Sequence, residues 1–250
     1  MSKNSSPQKE SPKKLKTESQ FGFISTLITA VFCAALVRSF LFEPFHIPSS
    51  SMKPNLLIGD YIFVSKFSYG YSRYSFPFGL KFFEGRIFET APKRGDVAVF
   101  RLPTDPDINY VKRIMGLPHD KIQMRDGVVY INDQEVKKVR DGSFDDEGTE
   151  IAKFLETLPE QKTVSTLDQN FDAPQDSTGI YEVPEGHYFM MGDNRDNSQD
   201  SRFLTQVGYV PEENLVGRAK IIFFSSKAEI WKFWRWNHSI RFDRILKKVN

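Results

Sequence analysis

Residues Phe21 to Val37 read FGFISTLITAVFCAALV, an unbroken run without a single charge. Nothing else in the chain restricts its folding as much, because a run of this length has to be kept from water. As a helix rising 1.5 Å per residue it spans roughly 25 Å, slightly short of a hydrocarbon core of ~30 Å. Extending it to Phe42 makes up the difference if Arg38 snorkels its guanidinium to the headgroups. Two rivals compete with a membrane span. One is the buried helix of a soluble domain. The other is a cleavable export signal, with a basic start and small residues at Ala34 and Ala35. The run is longer than a usual signal core and lacks a polar region with a clear cleavage site, so a retained signal-anchor over 21–42 is the expectation. Residues 1–20 are rich in Ser, Pro and Lys, have no apolar periodicity, and read as a disordered tail. There Lys3, Lys9, Lys13, Lys14 and Lys16 oppose only Glu10 and Glu18. With Arg38 alone on the far side, that asymmetry places the N-terminus in the cytoplasm and everything after residue 43 outside.

Beyond the anchor, strand signals dominate. Tyr61–Ser65 and Asp96–Arg101 are short β-branched and aromatic runs bounded by Gly-Asp turns. Asp126-Gly127 separates Lys121–Met124 from Val128–Asn132, which reads as a hairpin. Tyr181–Val183, Tyr188–Met191 and Arg218–Phe224 add further strands. No segment carries the 3.6-residue periodicity that crossover helices need, so the exported part is expected to be mostly antiparallel β. Residues 137–179 are polar and poor in long apolar runs. They read as a surface insertion with one helical turn near Glu150–Leu155. Near the end, Trp231, Trp234 and Trp236 interleave with Lys232 and Arg235, a pattern that suits either a headgroup layer or ordinary packing onto the sheet.

Several chemistries are disfavoured at this level. A net charge of +2 gives no global field for nucleic acid. The lone Cys33 precludes an internal disulfide or a cysteine metal cluster. The four histidines are scattered without ligand spacing, and no G-x-S-x-G elbow is present. His46 is ~16 Å from Ser51 if the intervening chain is extended, too far for a hydrogen bond. The oxygen-rich stretch Gly192–Arg202 lacks the glycine and terminal glutamate of an EF-hand loop and carries two arginines, which argues against calcium there. No metal and no cofactor are expected.

Three segments stand out: Ile47–Pro54 with its serine cluster, Asn109–Ile114 around Lys112, and Gly192–Arg202. Each alone is a turn, a solvated lysine or a polar loop. Together, and in this order, they resemble the blocks of the type I signal peptidase (leader peptidase) family. Pro48-Ser49-Ser50-Ser51-Met52-Lys53-Pro54 continues to Gly59-Asp60 as that family's nucleophile block, and Arg94-Gly95-Asp96-Val97 follows. Tyr110-Val111-Lys112-Arg113 matches its lysine block, and Met191-Gly192-Asp193-Asn194-Arg195-Asp196-Asn197-Ser198 its closing block. The resemblance runs from the anchor to about Phe224, excluding 137–179. One departure is visible: His119 stands where the family usually has glycine after Gly116-Leu117-Pro118, which puts the conformation of that turn in question.

The resemblance implies a mainly β fold, in which an N-terminal transmembrane helix precedes an antiparallel β-sheet catalytic domain with a small inserted β-rich subdomain. The expected divisions are a tail over 1–20, the anchor over 21–42, a catalytic domain over 43–122 and 181–230, the insertion over 123–180, and a basic Trp-rich segment over 231–250. It further implies Ser51 as nucleophile, Lys112 as general base and Ser49 as an oxyanion donor beside the Ser51 N–H. Ser198 would hydrogen-bond the lysine, and Asp200 with Arg202 would brace the site. Phe45, Ile47, Pro48, Asn109, Tyr110 and Val111 would hold an extended substrate. The implied partners are preproteins bearing signal peptides and the lipid bilayer. The implied place is the outer side of a bacterial inner membrane, with small residues preferred at −1 and −3 of the substrate. Competing readings are a specialised peptidase of the same clan and a membrane-tethered β-rich binding protein without catalysis. Oligomeric state is left open.

Overall fold

A computed structural model describes residues 12–76, 85–170, 172–228 and 239–250, and the tryptophan cluster at 231–236 lies outside them. Two units divide the chain, Met1–Arg38 and Ser39–Asn250. The first is built on helix α1, Pro12–Phe40. Its 19-residue stretch Gly22–Phe40 is long and apolar enough to cross a bilayer, ~28 Å at helical rise. Phe23, Ile28, Val31 and Phe32 are all uncovered, as a lipid-facing helix leaves them. Two sequence expectations need correction. The helix already includes residues 12–20, since Lys, Glu and Leu are good helix formers and Pro12 sits in the tolerated first turn. It also ends at Phe40, and Phe42 begins a strand, so the extension to Phe42 is not helical.

The second unit is mostly β, with short 3-10 turns such as Arg73–Ser75 and Glu212–Asn214. Its main sheet has the spatial order β1 (Phe42–His46), β2 (Asp60–Ser65), β16 (Leu215–Ser225), β5 (Val97–Leu102), β6 (Asp105–Gly116), β14 (His187–Met191) and β15 (Val210–Pro211). Its neighbouring strands all pair antiparallel. The fold class read from the sequence is therefore the one observed. Central β5 (VAVFRL) is buried at nearly every position, as a strand covered on both faces should be. Flanking sheets are β13 (Tyr181–Glu182), β7 (Lys121–Arg125), β8 (Val128–Ile131) and β9 (Gln134–Glu135), then β10 (Lys137–Asp146), β11 (Thr149–Thr157) and β12 (Thr163–Leu167), and the pair β3 (Tyr71–Ser72) and β4 (Arg86–Ile87).

The helical turn expected near Glu150–Leu155 is absent, because that segment lies within strand β11. Ile151, Phe154 and Leu155 mimic a helical i, i+3, i+4 stripe. Pairing on both sides, Phe154 to Arg140 of β10 and to Thr166 of β12, overrides that local signal. His119, the departure from the family's usual glycine, adopts φ 70°, a left-handed conformation, and donates its N–H to Val183 O at 2.8 Å. The turn thus keeps the shape a glycine would take, at the steric expense of a side chain there.

One core cluster fixes the region of interest. Ile47, Met52 and Leu56, from the segment between β1 and β2, are buried with Ile62, Val64, Val99 and Ile222 of the sheet. Burying Met52 and Leu56 stabilises the serine-bearing turn by ~1.5–3 kcal/mol each.

Candidate active site

Met52 is 1% exposed, so the residue before it is held against the sheet rather than left to swing. Strand β6 faces that turn. Its pairing with β5 sets Lys112 opposite Ala98, the first position of the strand's buried half. The result is a contact between groups 61 positions apart: Lys112 Nζ lies 2.6 Å from Ser51 Oγ. The amine also donates to Val111 O at 3.2 Å and sits 5.1 Å from the Tyr110 ring centroid. Ser49 Oγ is 3.3 Å from Ser51 Oγ, on the exposed side of the same turn.

Burial pushes the Lys112 ammonium down to about 8. Asp200 and Asp193 oppose that shift and Arg202 supports it. The Asp200–Arg202 pair explains why burial wins. Arg202 grips both Asp200 oxygens at 2.9 Å, and the Gly192 N–H donates to the same carboxylate at 2.9 Å. Burial would raise Asp200, but its guanidinium partner holds it below the ordinary carboxylate range. Asp200 is the stronger of the two carboxylates acting on the lysine, and the Arg202 charge clamped to it offsets part of that field.

Ser198 is buried within this group, yet its Oγ makes no hydrogen bond among the described residues, to Lys112 or otherwise. It lies near enough to Asp200 to favour the charged carboxylate without meeting hydrogen-bond geometry. Gly192 makes room for it: a Cβ there would stand 2.1 Å from Ser198 Oγ and 2.6 Å from Ser51 O.

The cleft beside Ser51 has a volume of about 520 Å³ and is lined by all six residues expected to hold substrate, Phe45, Ile47, Pro48, Asn109, Tyr110 and Val111. Its two walls come from one sheet, β1 at its edge and β6 four strands further along. Among the described residues, edge strand β1 pairs only with β2, and residues 109–112 of β6 pair with β5 on one side only. Both walls therefore present backbone groups to the cleft, the arrangement that accepts an added strand.

Residues to which sequence reasoning gave no role hold this geometry. Arg113 and Asp193, each 1% exposed, form a bidentate pair at 2.7 Å, and Asn55 Nδ2 donates to Asp193 at 2.7 Å. Asn194 N–H donates to Ser51 O at 3.1 Å, and Asn197 Nδ2 to Ser50 Oγ at 2.8 Å. Lys53 pairs with Asp146 of the inserted sheet. Their signal was the dense polar spelling of Gly192–Arg202, which serves to buttress the serine-bearing turn.

A profile describing "Signal peptidase, peptidase S26" matches residues 20–224. The signal peptidase I of Rickettsia typhi (strain ATCC VR-144 / Wilmington) is 43% identical over 242 residues, covering 88% of this chain and 91% of its own. That of Rickettsia prowazekii (strain Madrid E) is 43% identical over 240 residues, covering 88% and 90%. A solved signal peptidase I from Enterococcus faecalis V583 is 25% identical and covers 52% of this chain and 97% of that one. Its TM-score of 0.31 gives the superposition no weight in the assignment. Profile and sequence relatives agree over most of the chain's length: it belongs to the signal peptidase, peptidase S26, family and is a serine endopeptidase.

Proposed function

We propose that this chain removes N-terminal signal peptides from exported preproteins by acyl transfer through a Ser51–Lys112 dyad. The observation that carries the reading is the 2.6 Å contact between Ser51 Oγ and a lysine that burial has brought down to about 8. A serine hydroxyl is a weak nucleophile until a neighbour takes its proton, and an ammonium cannot take it. Neutral Lys112 accepts the Ser51 proton as Oγ attacks the scissile carbonyl. Ser49 Oγ and the Ser51 N–H then donate to the developing oxyanion, each worth ~3–4 kcal/mol in comparable sites. The lysinium returns its proton to the leaving amine, and water repeats the sequence on the acyl-enzyme. The Asp200–Arg202 pair sets the field around the amine, and Ser198 acts on Asp200 rather than on the lysine.

The substrate binds as a strand between β1 and β6, and the cleft selects small residues at −1 and −3. Helix α1 holds the enzyme in a bacterial inner membrane with its N-terminus in the cytoplasm and the β unit on the outer side. That tether supports a high local concentration of precursors that are themselves membrane-held. The relatives' name, signal peptidase I, supports the substrate class. The test is cleavage of a purified preprotein by wild type, Ser51→Ala and Lys112→Ala in detergent. Cleavage by wild type alone is expected; equal cleavage by all three overturns the mechanism, and none by a folded wild type overturns the function.

A further inference from the structure

A second charged cluster sits away from the dyad, where the end of β12, the turn at 173–176 and the loop after β14 meet. Asp168, Asp176 and Asp196 each offer a carboxylate oxygen within 4.8 Å of the other two. Asp168 and Asp176 are buried, and Asp196 is exposed. In each, one oxygen is already held by the protein. Lys138 Nζ binds Asp168 Oδ2, the Ala173 N–H binds Asp176 Oδ2 at 2.9 Å, and the Gln169 and Asn170 N–H groups bind Asp196 Oδ2 at 2.6 and 2.9 Å.

A second observation is independent of the clustering. Asp168 is 1% exposed, and its Oδ1 is buried with no hydrogen-bond partner among the described residues. A buried carboxylate oxygen facing no donor is costly and uncommon in native proteins. The charge balance points the same way. Three carboxylates meet one ammonium, Lys138, leaving a formal −2. Of the arginines whose fields reach the cluster, Arg202 pairs with Asp200 and Arg195 pairs with Glu156 through Nη2, while Arg195 Nη1 makes no hydrogen bond to Asp168 or to any other described residue. Burial accordingly pushes the Asp168 and Asp176 carboxyls up.

We propose that Asp168, Asp176 and Asp196 form a binding site for a hard divalent cation of the calcium class. Oxygens that ligate Ca²⁺ at ~2.3–2.6 Å lie at most about 5 Å apart, which the 4.8 Å spread satisfies. An all-carboxylate donor set selects hard cations over thiolate- or imidazole-seeking metals. Exposed Asp196 leaves an entry path and room for waters to complete the coordination shell. The bound cation joins two parts already in contact: Leu167 N–H donates to Asp193 O at 2.8 Å and Arg195 N–H to Leu167 O at 2.9 Å. It thereby fastens the inserted sheet to the loop whose Asn194 and Asn197 hold the nucleophile turn.

The experiment follows thermal unfolding of the full chain in detergent after chelation and dialysis, with CaCl2 added up to about 5 mM, above the ~0.1–1 mM range of weak sites. Matched-ionic-strength KCl and MgCl2 run alongside. Asp196→Asn is the variant of choice, since its amide oxygen can still accept the two backbone bonds. Wild type should show a saturable rise of ~2–9 °C at about 5 mM, roughly a five- to fiftyfold excess over a Kd in that range. Asp196→Asn should start within about 2 °C of wild type and lose most of that rise, a margin within the effect of one surface change. Titration calorimetry with CaCl2 should give one site in wild type. No saturable response, an equal response to KCl, a response to MgCl2 alone, or an Asp196→Asn chain that behaves as wild type each overturns the proposal.

Discussion

Replacing Lys112 with methionine should abolish cleavage and, at neutral pH, make the protein more stable. Burial brings this lysine from 10.5 to about 8. At 1.36 kcal/mol per tenfold, that displacement corresponds to ~3 kcal/mol of penalty on the folded state whenever the group is charged. The sign follows from proton counting. The folded pKa is depressed, so between pH 8 and 10.5 the unfolded chain binds more protons and stability rises with pH. Below pH 8 the full penalty is present. Lys112→Met, close in volume and without charge, should therefore raise stability by up to ~3 kcal/mol at pH 7, and the gain should vanish above pH ~10.5. Urea unfolding at pH 7 and pH 10.5 measures it. The wild-type rate should follow the same amine. The neutral fraction is about 1% at pH 6, 9% at pH 7 and 50% at pH 8, against ~0.03% at pH 7 for an ordinary lysine. Thus kcat/KM for a signal-peptide substrate should climb tenfold per pH unit below 8 and level off by pH 9. A limb inflecting near 10, or a Lys112→Met chain less stable at pH 7 than at pH 10.5 relative to wild type, refutes the reasoning.

Ser49→Ala should lower kcat by ~10²–10³ with KM nearly unchanged, because an oxyanion donor acts in the transition state; a loss confined to KM would remove Ser49 from that role. Gly192→Ala should cost at least ~10² in kcat/KM, since its Cβ would press on Ser198 Oγ at 2.1 Å and on Ser51 O at 2.6 Å; wild-type kinetics would show that the turn is looser than its contacts imply. His119→Gly should raise stability by roughly 0.5–1 kcal/mol through relief of the left-handed backbone, leaving cleavage unchanged, and a lowered Tm would refute it.

The meeting of Ser51 and Lys112 was legible in the sequence because the motif blocks preserve both spelling and order, and the strand signals at Tyr61–Ser65 and around the Asp126-Gly127 hairpin were local enough to read. What stayed hidden depends on partners distant in the chain. Strand β11 carries a helical stripe at Ile151, Phe154 and Leu155, and only its neighbours β10 and β12 make it a strand. Arg113 and Asp193 look like surface charges until pairing sinks both. Ser198 illustrates the reverse limit: its presence in the motif was plain, but its failure to bond Lys112 is a matter of side-chain direction that no spacing encodes.

The separation in sequence between the parts that hold Ser51 has a kinetic consequence. Its partner amine is 61 positions away, and the Asn197 that fixes Ser50 is 147 away. Contacts of such range close late, after loop entropy has been overcome. A chain translated only through Lys112 holds both reactive groups and none of the loop that aligns them. Proteolytic competence should thus appear abruptly, as a step that coincides with docking of residues 192–202, so that a half-folded enzyme emerging beside its own substrates is harmless to them and to itself.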